Sequence, residues 1–516
     1  MVSYRSTALI ASVKRAIQPL AAGVLLSVPF WHAPYGWVVL LCVLGYMWWL
    51  TSRPSTKQIW LSGVAFFAIV VRWMYQIHAT ELIPNNVLAV VFLLLTFTVV
   101  VGSLSLGFLF FGYAYNRLTD QVLRPRALVI VPALWALSEW LRSFIFSVVS
   151  LGPGGTIGAH WNFGSLAFAA SVTPLGYGGR IVGQFGLSAL VVALGVALVM
   201  MFCRQRKWGL IAMAAVAAIC VTGWLVSPSA NGSTRRVGVL QLDDSSYSDY
   251  GYQRDLGHLM ASHDASRPLD VLVMPEYSYI FSNAEYRAAE NTAIGSVTTD
   301  KSLVITSRSG EAAEGHNNLV TWYKPDGQIV ASQQKQFLIP GGEYIPYFYE
   351  WILVLSGNTS VIGAHHSRNT VTPGAELARP VPYQDDKIGS LACSGAIAPA
   401  FYRDLSRQGA TLLTNSAALS TMGLSNAYYA QARQMSTFIA VANARPFVQS
   451  ARGAQVFMLD SNGHSVAESD VPGVHYIEAD ITTNHQQVPY SYLGDGAIVV
   501  ILGGLVLAGI YGKRPS

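Results

Sequence analysis

Charge is what this 516-residue chain has least of: only 12% of it is Asp, Glu, Lys or Arg, against roughly 25% in ordinary soluble proteins. With 52% hydrophobic residues beside that shortage, much of the chain must lie in lipid. Cysteine is scarce too. Of the four, Cys42, Cys203 and Cys220 fall in or at the ends of apolar runs, which leaves Cys393 without a disulfide partner. A lone thiol in an exported domain is either inert and buried or a nucleophile. Other absences exclude whole chemistries. No basic stripe with interleaved aromatics accompanies the formal charge of +5, so nucleic acid is not expected as a partner. There is no G-x-S-x-G elbow and no Gly-rich phosphate loop. The adjacent His365 and His366 lack i, i+4 spacing and a nearby ligand set, so they read as loop residues. Neither a metal nor a cofactor is expected, and no internal repeat or low-complexity tract is visible.

What is present divides into two parts. Nearly all long apolar runs precede residue 227, whereas the stretch to about residue 487 carries the Asp, Asn, Ser and Gln. A helix needs about 20 largely apolar residues to span a bilayer. Eight candidates lie near 16–31, 36–50, 58–77, 86–114, 127–148, 182–203, 208–226 and 495–511. The first two are short and separated by a His-Ala-Pro-Tyr turn, so a hairpin that stops short of crossing is the alternative there. Because further spans follow Lys14 and Arg15, the opening run reads as a retained helix and not as a cleaved signal. The expected organisation is a membrane domain over 1–226, a soluble domain over 227–490 with its entry linker at Pro228–Gly232, and a last span with a short tail over 491–516.

Lys and Arg favour the cytoplasmic side of short loops. Lys14 and Arg15, Arg53 and Lys57, Arg117, Arg124 and Arg126, Arg204 to Lys207, and Lys513 and Arg514 occupy alternate loops, and the loop 78–85 holds none. Both termini are therefore expected in the cytoplasm and the 227–490 domain outside. Two charges fall within the fifth span. Glu139 and Arg142 are three apart, so they share a helix face and can pair. They read either as a structural pair or as a contact for a lipid headgroup. Arg72 is expected to snorkel.

The external part alternates strand-like and helix-like stretches, which suits one α/β or layered sandwich domain. Strands are expected at 237–240, 269–274, 303–306, 319–323, 388–393, 411–414, 438–442, 447–449, 456–459 and 475–481, with helical patterns at 255–262 and 427–437. Cys393 ends the run Lys387-Ile388-Gly389-Ser390-Leu391-Ala392. A cysteine nucleophile needs a proton acceptor, and acyl transfer needs positive charge or donors where an oxyanion develops. Glu276, directly after Val-Leu-Val-Met-Pro, and Lys335 in KQFLIPGGEYIPY, with Glu343 eight residues on, supply candidates.

The order Glu276, Lys335, Cys393, in MPE, PGGEYIP and GSLAC contexts, resembles the nitrilase (carbon–nitrogen hydrolase) superfamily. The flanking spans narrow the resemblance to the bacterial apolipoprotein N-acyltransferase family. SEWLRSFIF at 138–146, HNNLVTWYKPDGQIVASQQKQFLIPGGEYIP at 316–346 and ANARPFVQSARG at 442–453 are similar to that family too. The resemblance implies a polytopic α-helical membrane domain joined to an extracytoplasmic αββα sandwich, in a bacterial inner membrane. It implies a two-step transfer: Cys393 takes an acyl chain from a membrane phospholipid as a thioester, then passes it to the N-terminal amine of a diacylglyceryl-modified lipoprotein. In that scheme Glu276 is the base, Lys335 the oxyanion-stabilising cation, Glu343 a supporting carboxylate, and the Ser394 backbone N–H an oxyanion donor.

The chain also departs from the family's pattern. The usual Tyr-Glu after the nucleophile is Ser394-Gly395, the usual Asn-Asp-Ala-Trp-Phe is Asn415-Ser416-Ala417-Ala418-Leu419, and Leu151–Gly155 replaces a Phe-Pro-Trp loop. Glu343 is expected to cover for the missing carboxylate, and a Glu restored at 395 to substitute in part for it. Two rival readings remain: a membrane-tethered amidase with the same triad, or a catalytically degenerate binding or scaffold homologue.

Overall fold

The computed structural model describes residues 17–77, 86–119, 124–203, 205–227, 229–243, 249–264, 266–281, 285–312, 315–422, 425–469 and 473–511. Lys14, Arg15, the loop 78–85, Arg204, Pro228, Lys513 and Arg514, all used in the orientation and linker readings, lie outside them. The membrane part consists of α1 (Ile17–Phe30), α2 (Val39–Leu50), α3 (Thr56–Val70), α4 (Asn86–Leu118), α5 (Ala127–Val149), α6 (Leu166–Ser171), α7 (Gly179–Phe202) and α8 (Arg206–Val226). Among the described residues, six helical segments are long and apolar enough to cross a membrane: 56–76, 86–118, 127–149, 174–202, 206–226 and 489–508. The other two of the eight expected, α1 and α2, are shorter apolar helices.

Local chemistry sets several of these boundaries. Ser55 starts α3 with a capping box, its hydroxyl accepting from the Gln58 N–H while the Gln58 side chain accepts from the Ser55 N–H. The α6 N-terminus is capped from another helix. Glu139 of α5 accepts from the Leu166 N–H at 3.1 Å and from the Ser165 and Ser188 hydroxyls at 2.8 and 2.7 Å, with the Trp135 indole N–H at 3.0 Å. Arg142 instead donates to the Phe163 carbonyl at 2.7 Å and lies over the Phe67 ring. The expected Glu139–Arg142 pair is thus replaced by two separate sets of partners. Both side chains are only 2% exposed, which removes them from the reach of a lipid headgroup. Arg72 turns back to the Ile69 carbonyl.

The soluble part is built from β1 (Thr234–Leu242), α9 (Asp249–Ser262), β2 (Leu269–Glu276), α10 (Arg287–Val297), β3 (Thr298–Glu311), β4 (His316–Tyr323), β5 (Ile329–Gln334), α11 (Tyr347–Leu355) and α12 (Thr359–Arg368). It continues through β6 (Val381–Tyr383), β7 (Asp386–Ala392), α13 (Pro399–Arg407), β8 (Leu412–Ala418), α14 (Asn426–Asn443), β9 (Phe447–Arg452), β10 (Phe457–Leu459), β11 (Ser465–Glu468) and β12 (His475–Thr482), before α15 (Pro489–Tyr511). The strands run β5-β4-β3-β2-β1-β9-β8-β7-β6, with β12 beside β1 and the β10–β11 hairpin beside β9. Period-2 alternation explains the layering. Val271 and Val273 enter the inner core with Ile388, Leu412 and Val448, whereas Leu272 and Met274 face outward under Leu259 and Ile294 of α9 and α10. On the opposite outer face Leu413 and Phe447 lie under Tyr402, Leu405 and Ile439 of α13 and α14. The two halves of this one twelve-stranded sheet pack face to face between two helical layers, which gives the expected αββα sandwich.

Three local expectations fail. Phe438–Ala442 is the second half of α14 and not a strand. Its five residues are all buried, because α14 is wedged between the sandwich and the membrane helices, and an apolar run buried all round carries no period to distinguish helix from strand. His365 and His366 sit on α12 and not in a loop. The polar strand β5 and the short β6 and β11 are additional.

The wedge also joins the two parts. From α14, Gln434 donates to the Pro29 carbonyl at 2.8 Å and Gln431 to the Val70 carbonyl at 2.7 Å, so two membrane-helix ends are satisfied by side chains of the sandwich. Arg180 of α7 is fully buried and donates to the carbonyls of Val441, Ser227 and Ser461 and to the Asn462 side chain. The catalytic-type strands are thereby fixed relative to the bilayer-spanning helices.

Candidate active site

In a sheet with parallel strands, groups at the carboxyl ends of neighbouring strands converge. β1 and β9, β2 and β3, and β7, β8 and β9 pair in parallel. Glu276 ends β2, Cys393 follows β7 directly, and Ala418 ends β8. Lys335 comes one residue after β5, and its N–H donates to the Asn318 carbonyl of β4 at 2.8 Å. Strand ends in the two halves of the sheet thus supply a carboxylate, a cation and a thiol.

The buried cluster is compact. Lys335 Nζ donates to Glu343 Oε1 at 2.7 Å and to Glu276 Oε1 at 3.3 Å. Glu276 Oε1 also accepts from Asn318 Nδ2 at 2.5 Å, and its Oε2 accepts from the Ala418 N–H at 3.0 Å. Glu343 Oε2 accepts from the Ile339 N–H at 2.9 Å, which orients the carboxylate toward the lysine. The Cys393 thiol lies 3.8 Å from the Ala418 carbonyl as donor. All four residues expected from sequence, Glu276, Lys335, Glu343 and Cys393, are brought into one electrostatic group.

Burial and neighbours set their protonation in opposing ways. Burial pulls the Lys335 ammonium down, but the Glu276 and Glu343 carboxylates outweigh it and hold the lysine well above its ordinary value, so it stays cationic. Burial pushes Glu276 above the usual carboxylate range, with Lys335 opposing and Glu343 adding to the shift. Burial likewise pushes the Cys393 thiol up, the Glu276 charge adding and Lys335 opposing. The Cys393 side chain therefore rests as a neutral thiol.

Cys393 opens a 3-10 turn, Cys393–Ile397, at a φ of +40°, a left-handed conformation that a residue with a side chain adopts only under constraint. The Ser394 N–H stands in the first turn of that segment, where a helix offers its own N–H groups no carbonyl. A Cβ added at Gly395 would approach the Leu391 Cβ to 2.6 Å. There is no room at 395 for the carboxylate side chain that the family pattern carries, so the expected substitution by a Glu there is overturned on steric grounds. Asn318, Asn415 and Ala418 complete the site; the sequence marked 415–419 only as an altered motif and gave none of the three a role. Their roles arise from pairing between β4, β8 and the loops, and no local pattern reveals such tertiary hydrogen bonds.

The loop Leu151–Gly155, where the family motif is altered, packs on the segment carrying Glu343. Tyr344 donates to the Ser150 carbonyl at 2.9 Å, the Tyr347 N–H to the Leu151 carbonyl at 2.9 Å, and Gly152 and Gly154 leave space that Tyr344 fills. Beyond that segment α11 presents Tyr347, Trp351, Val354 and Leu355 to the exterior. Its Tyr349 ring packs on Phe92 of α4, centroids 4.7 Å apart.

The chain is similar to several known proteins. The chain is 22% identical over 505 residues to the apolipoprotein N-acyltransferase of Shewanella oneidensis, covering 93% of each chain. It is 23% identical over 521 residues to that of Ralstonia nicotianae, covering 97% of this chain and 94% of the relative. Among solved structures, a carbon–nitrogen hydrolase from Helicobacter pylori aligns at 15% identity with a TM-score of 0.36, over 55% of this chain and 96% of its own. Residues 22–197 match the apolipoprotein N-acyltransferase N-terminal domain. With residues 22–197 matching that domain and relatives matched along nearly the whole length, the chain is similar from end to end to the apolipoprotein N-acyltransferases.

Proposed function

We propose that the protein moves an acyl chain from a membrane phospholipid, through a Cys393 thioester, to the N-terminal amine of diacylglyceryl-cysteine on apolipoproteins. The observation that carries this reading is the buried Glu276–Lys335–Glu343 group beside an unpaired thiol whose own N-terminal peptide ends a parallel strand. Glu276 takes the Sγ proton as sulfur attacks the ester carbonyl, and the oxyanion forms against Lys335 Nζ and the Ser394 N–H. Collapse breaks the acyl–oxygen bond; the leaving lysophospholipid oxygen receives the proton from Glu276-H. In the second half the acceptor amine attacks the thioester, Glu276 takes the amine proton, and the expelled thiolate recovers it.

A lipid donor is supported by position. Glu343 and α11 belong to one segment, and the exposed apolar residues of α11 are continuous with those of α4, Val87, Val90, Val91 and Leu94. The segment that bears Glu343 thus runs directly into an apolar helix packed on α4, which favours a donor held in lipid. A soluble amide substrate would need no such apolar surface beside the site. In this reading the protein resides in the inner membrane of a bacterium, with the sandwich outside and both termini in the cytoplasm.

The test is purified protein in phospholipid vesicles with a diacylglyceryl lipopeptide. A third acyl chain on the lipopeptide amine, found by mass spectrometry and lost in Cys393→Ala, is the expected result. Hydrolysis of simple amides without any acyl transfer would overturn it in favour of an amidase.

A further inference from the structure

Two contacts around the nucleophile have no part in the proton transfers above, yet both fix the peptide that carries it. On one side Asn415, fully buried in β8 and in register with Leu391 of β7, donates from Nδ2 to the Cys393 carbonyl at 3.3 Å and to Gln449 Oε1 at 2.9 Å. Its Oδ1 accepts from the Tyr402 hydroxyl at 3.1 Å, and that hydroxyl also reaches the Thr414 carbonyl at 2.9 Å. The amide therefore cannot rotate without breaking bonds at both ends. On the other side the Ser394 hydroxyl donates to the Phe337 carbonyl, two residues beyond Lys335. The serine is 1% exposed, so water does not compete for that bond.

These contacts lie on either side of the one peptide unit, Cys393–Ser394, whose left-handed φ aims the thiol toward Ala418 and away from the continuation of the strand. A residue with a Cβ relaxes out of that conformation unless its flanks are held. We propose that Asn415 and the Ser394 side chain form a two-point clamp that holds Cys393 in its reactive conformation, making both positioning residues for the nucleophile. Asn415 ties the cysteine to the β8 strand that also gives Ala418 to Glu276. Ser394 ties it to the segment that bears Lys335. Base, cation and thiol are thereby held to one frame, although they come from opposite halves of the sheet.

The clamp rests on Cys393 being the acylated nucleophile, so its test isolates that step from the natural donor and acceptor. Full-length protein in detergent is mixed with p-nitrophenyl butyrate, and the burst of p-nitrophenolate reports acylation of Cys393. Ser394→Ala and Asn415→Leu are compared with wild type and Cys393→Ala, each checked for an unchanged thermal midpoint. The expected result is a fall of at least tenfold in the burst rate constant at saturation, with the half-saturating ester concentration within twofold of wild type. The pH profile separates positioning from general loosening: wild type reaches a plateau once Glu276 is ionised, whereas clamp variants keep rising with pH, as a thiol ionising without its base does. Ser394→Thr, which keeps the hydroxyl, restores the plateau. Ser394→Ala alone decides the matter should Asn415→Leu prove unstable. Wild-type burst rate and plateau in Ser394→Ala would overturn the clamp, and a wild type with no burst would sink the nucleophile with it. A normal burst without transfer to a lipopeptide amine would instead fault the proposed function and leave the clamp standing.

Discussion

Glu276 and Cys393 engage opposite ends of a single residue: the carboxylate accepts from the Ala418 N–H at 3.0 Å, and the thiol faces the Ala418 carbonyl at 3.8 Å. Base and nucleophile are thus aligned by the end of β8, a strand to which neither belongs. The first expectation follows from that arrangement. Removing the base in Glu276→Gln, with its shape preserved, should slow acylation of Cys393 by about 10²–10⁴-fold, the usual range for a positioned general base. Single-turnover formation of the thioester, followed by intact-protein mass, measures it.

The pH profile gives a second expectation. The carboxyl of Glu276 is held above its ordinary range, chiefly by burial, and a protonated base cannot accept the thiol proton. Acylation should therefore fall as pH drops through that raised value, and the acid limb should lie above that of an ordinary glutamate. The Asn318 bond to Glu276 Oε1 favours the ionised form. Asn318→Leu should move the limb further toward alkaline pH, and an unmoved limb would separate Asn318 from the base.

Orientation is testable independently of chemistry. A reporter inserted within 204–207 or fused after Lys513 should read as cytoplasmic, and one at Ser229 as external, because the basic residues occupy alternate loops. A cytoplasmic reading at Ser229 would place the site on the wrong face of the bilayer for an exported lipoprotein.

Sequence reading succeeded where a feature is written locally. Glu276 follows a buried apolar strand, Lys335 and Glu343 flank a Pro-Gly-Gly turn, and Cys393 ends an apolar run, so local context and the family resemblance together marked the four groups that the fold gathers. It failed where the deciding interaction is tertiary. Nothing near Asn318 or Asn415 in the chain indicates that their amides meet Glu276 and the Cys393 carbonyl, since strand pairing creates both contacts. Phe438–Ala442 looked like a strand because its helix is buried on every side. Spacing correctly put Glu139 and Arg142 on one face, but it could not show that the α6 N-terminus and the Phe163 carbonyl would take them separately.

Glu139 therefore belongs to stability. Four donors end on its carboxylate; in Glu139→Ala the Trp135 and Leu166 N–H groups would be left buried and unpaired, and the Ser165 and Ser188 hydroxyls would have only each other to donate to. A loss of about 2–4 kcal/mol is expected, the scale of breaking charge-assisted bonds in a dry interior. Thermal unfolding in detergent should show it, with Glu139→Gln intermediate because its amide keeps one acceptor oxygen.

Glu343 is the remaining carboxylate, and its part can be separated from that of Glu276. It makes the shorter of the two bonds to Lys335, 2.7 Å against 3.3 Å, and it is itself held by the Ile339 N–H. Burial alone would drive the lysine toward the neutral form, and the two carboxylates together reverse that. In Glu343→Gln the amide cannot supply charge, so the lysine loses part of that support and the oxyanion a correctly aimed cation. At least a tenfold fall in acyl transfer is expected, about 1.4 kcal/mol of barrier. A second carboxylate at 395 cannot repair this, because the first atom of any side chain there meets Leu391 at 2.6 Å. Gly395→Glu should lower activity alone and fail to rescue Glu343→Gln in the double variant. Kinetics on the three proteins decide: recovery in the double variant would mean that the turn after Cys393 can open enough to admit a carboxylate, and that Glu343 is replaceable from that side.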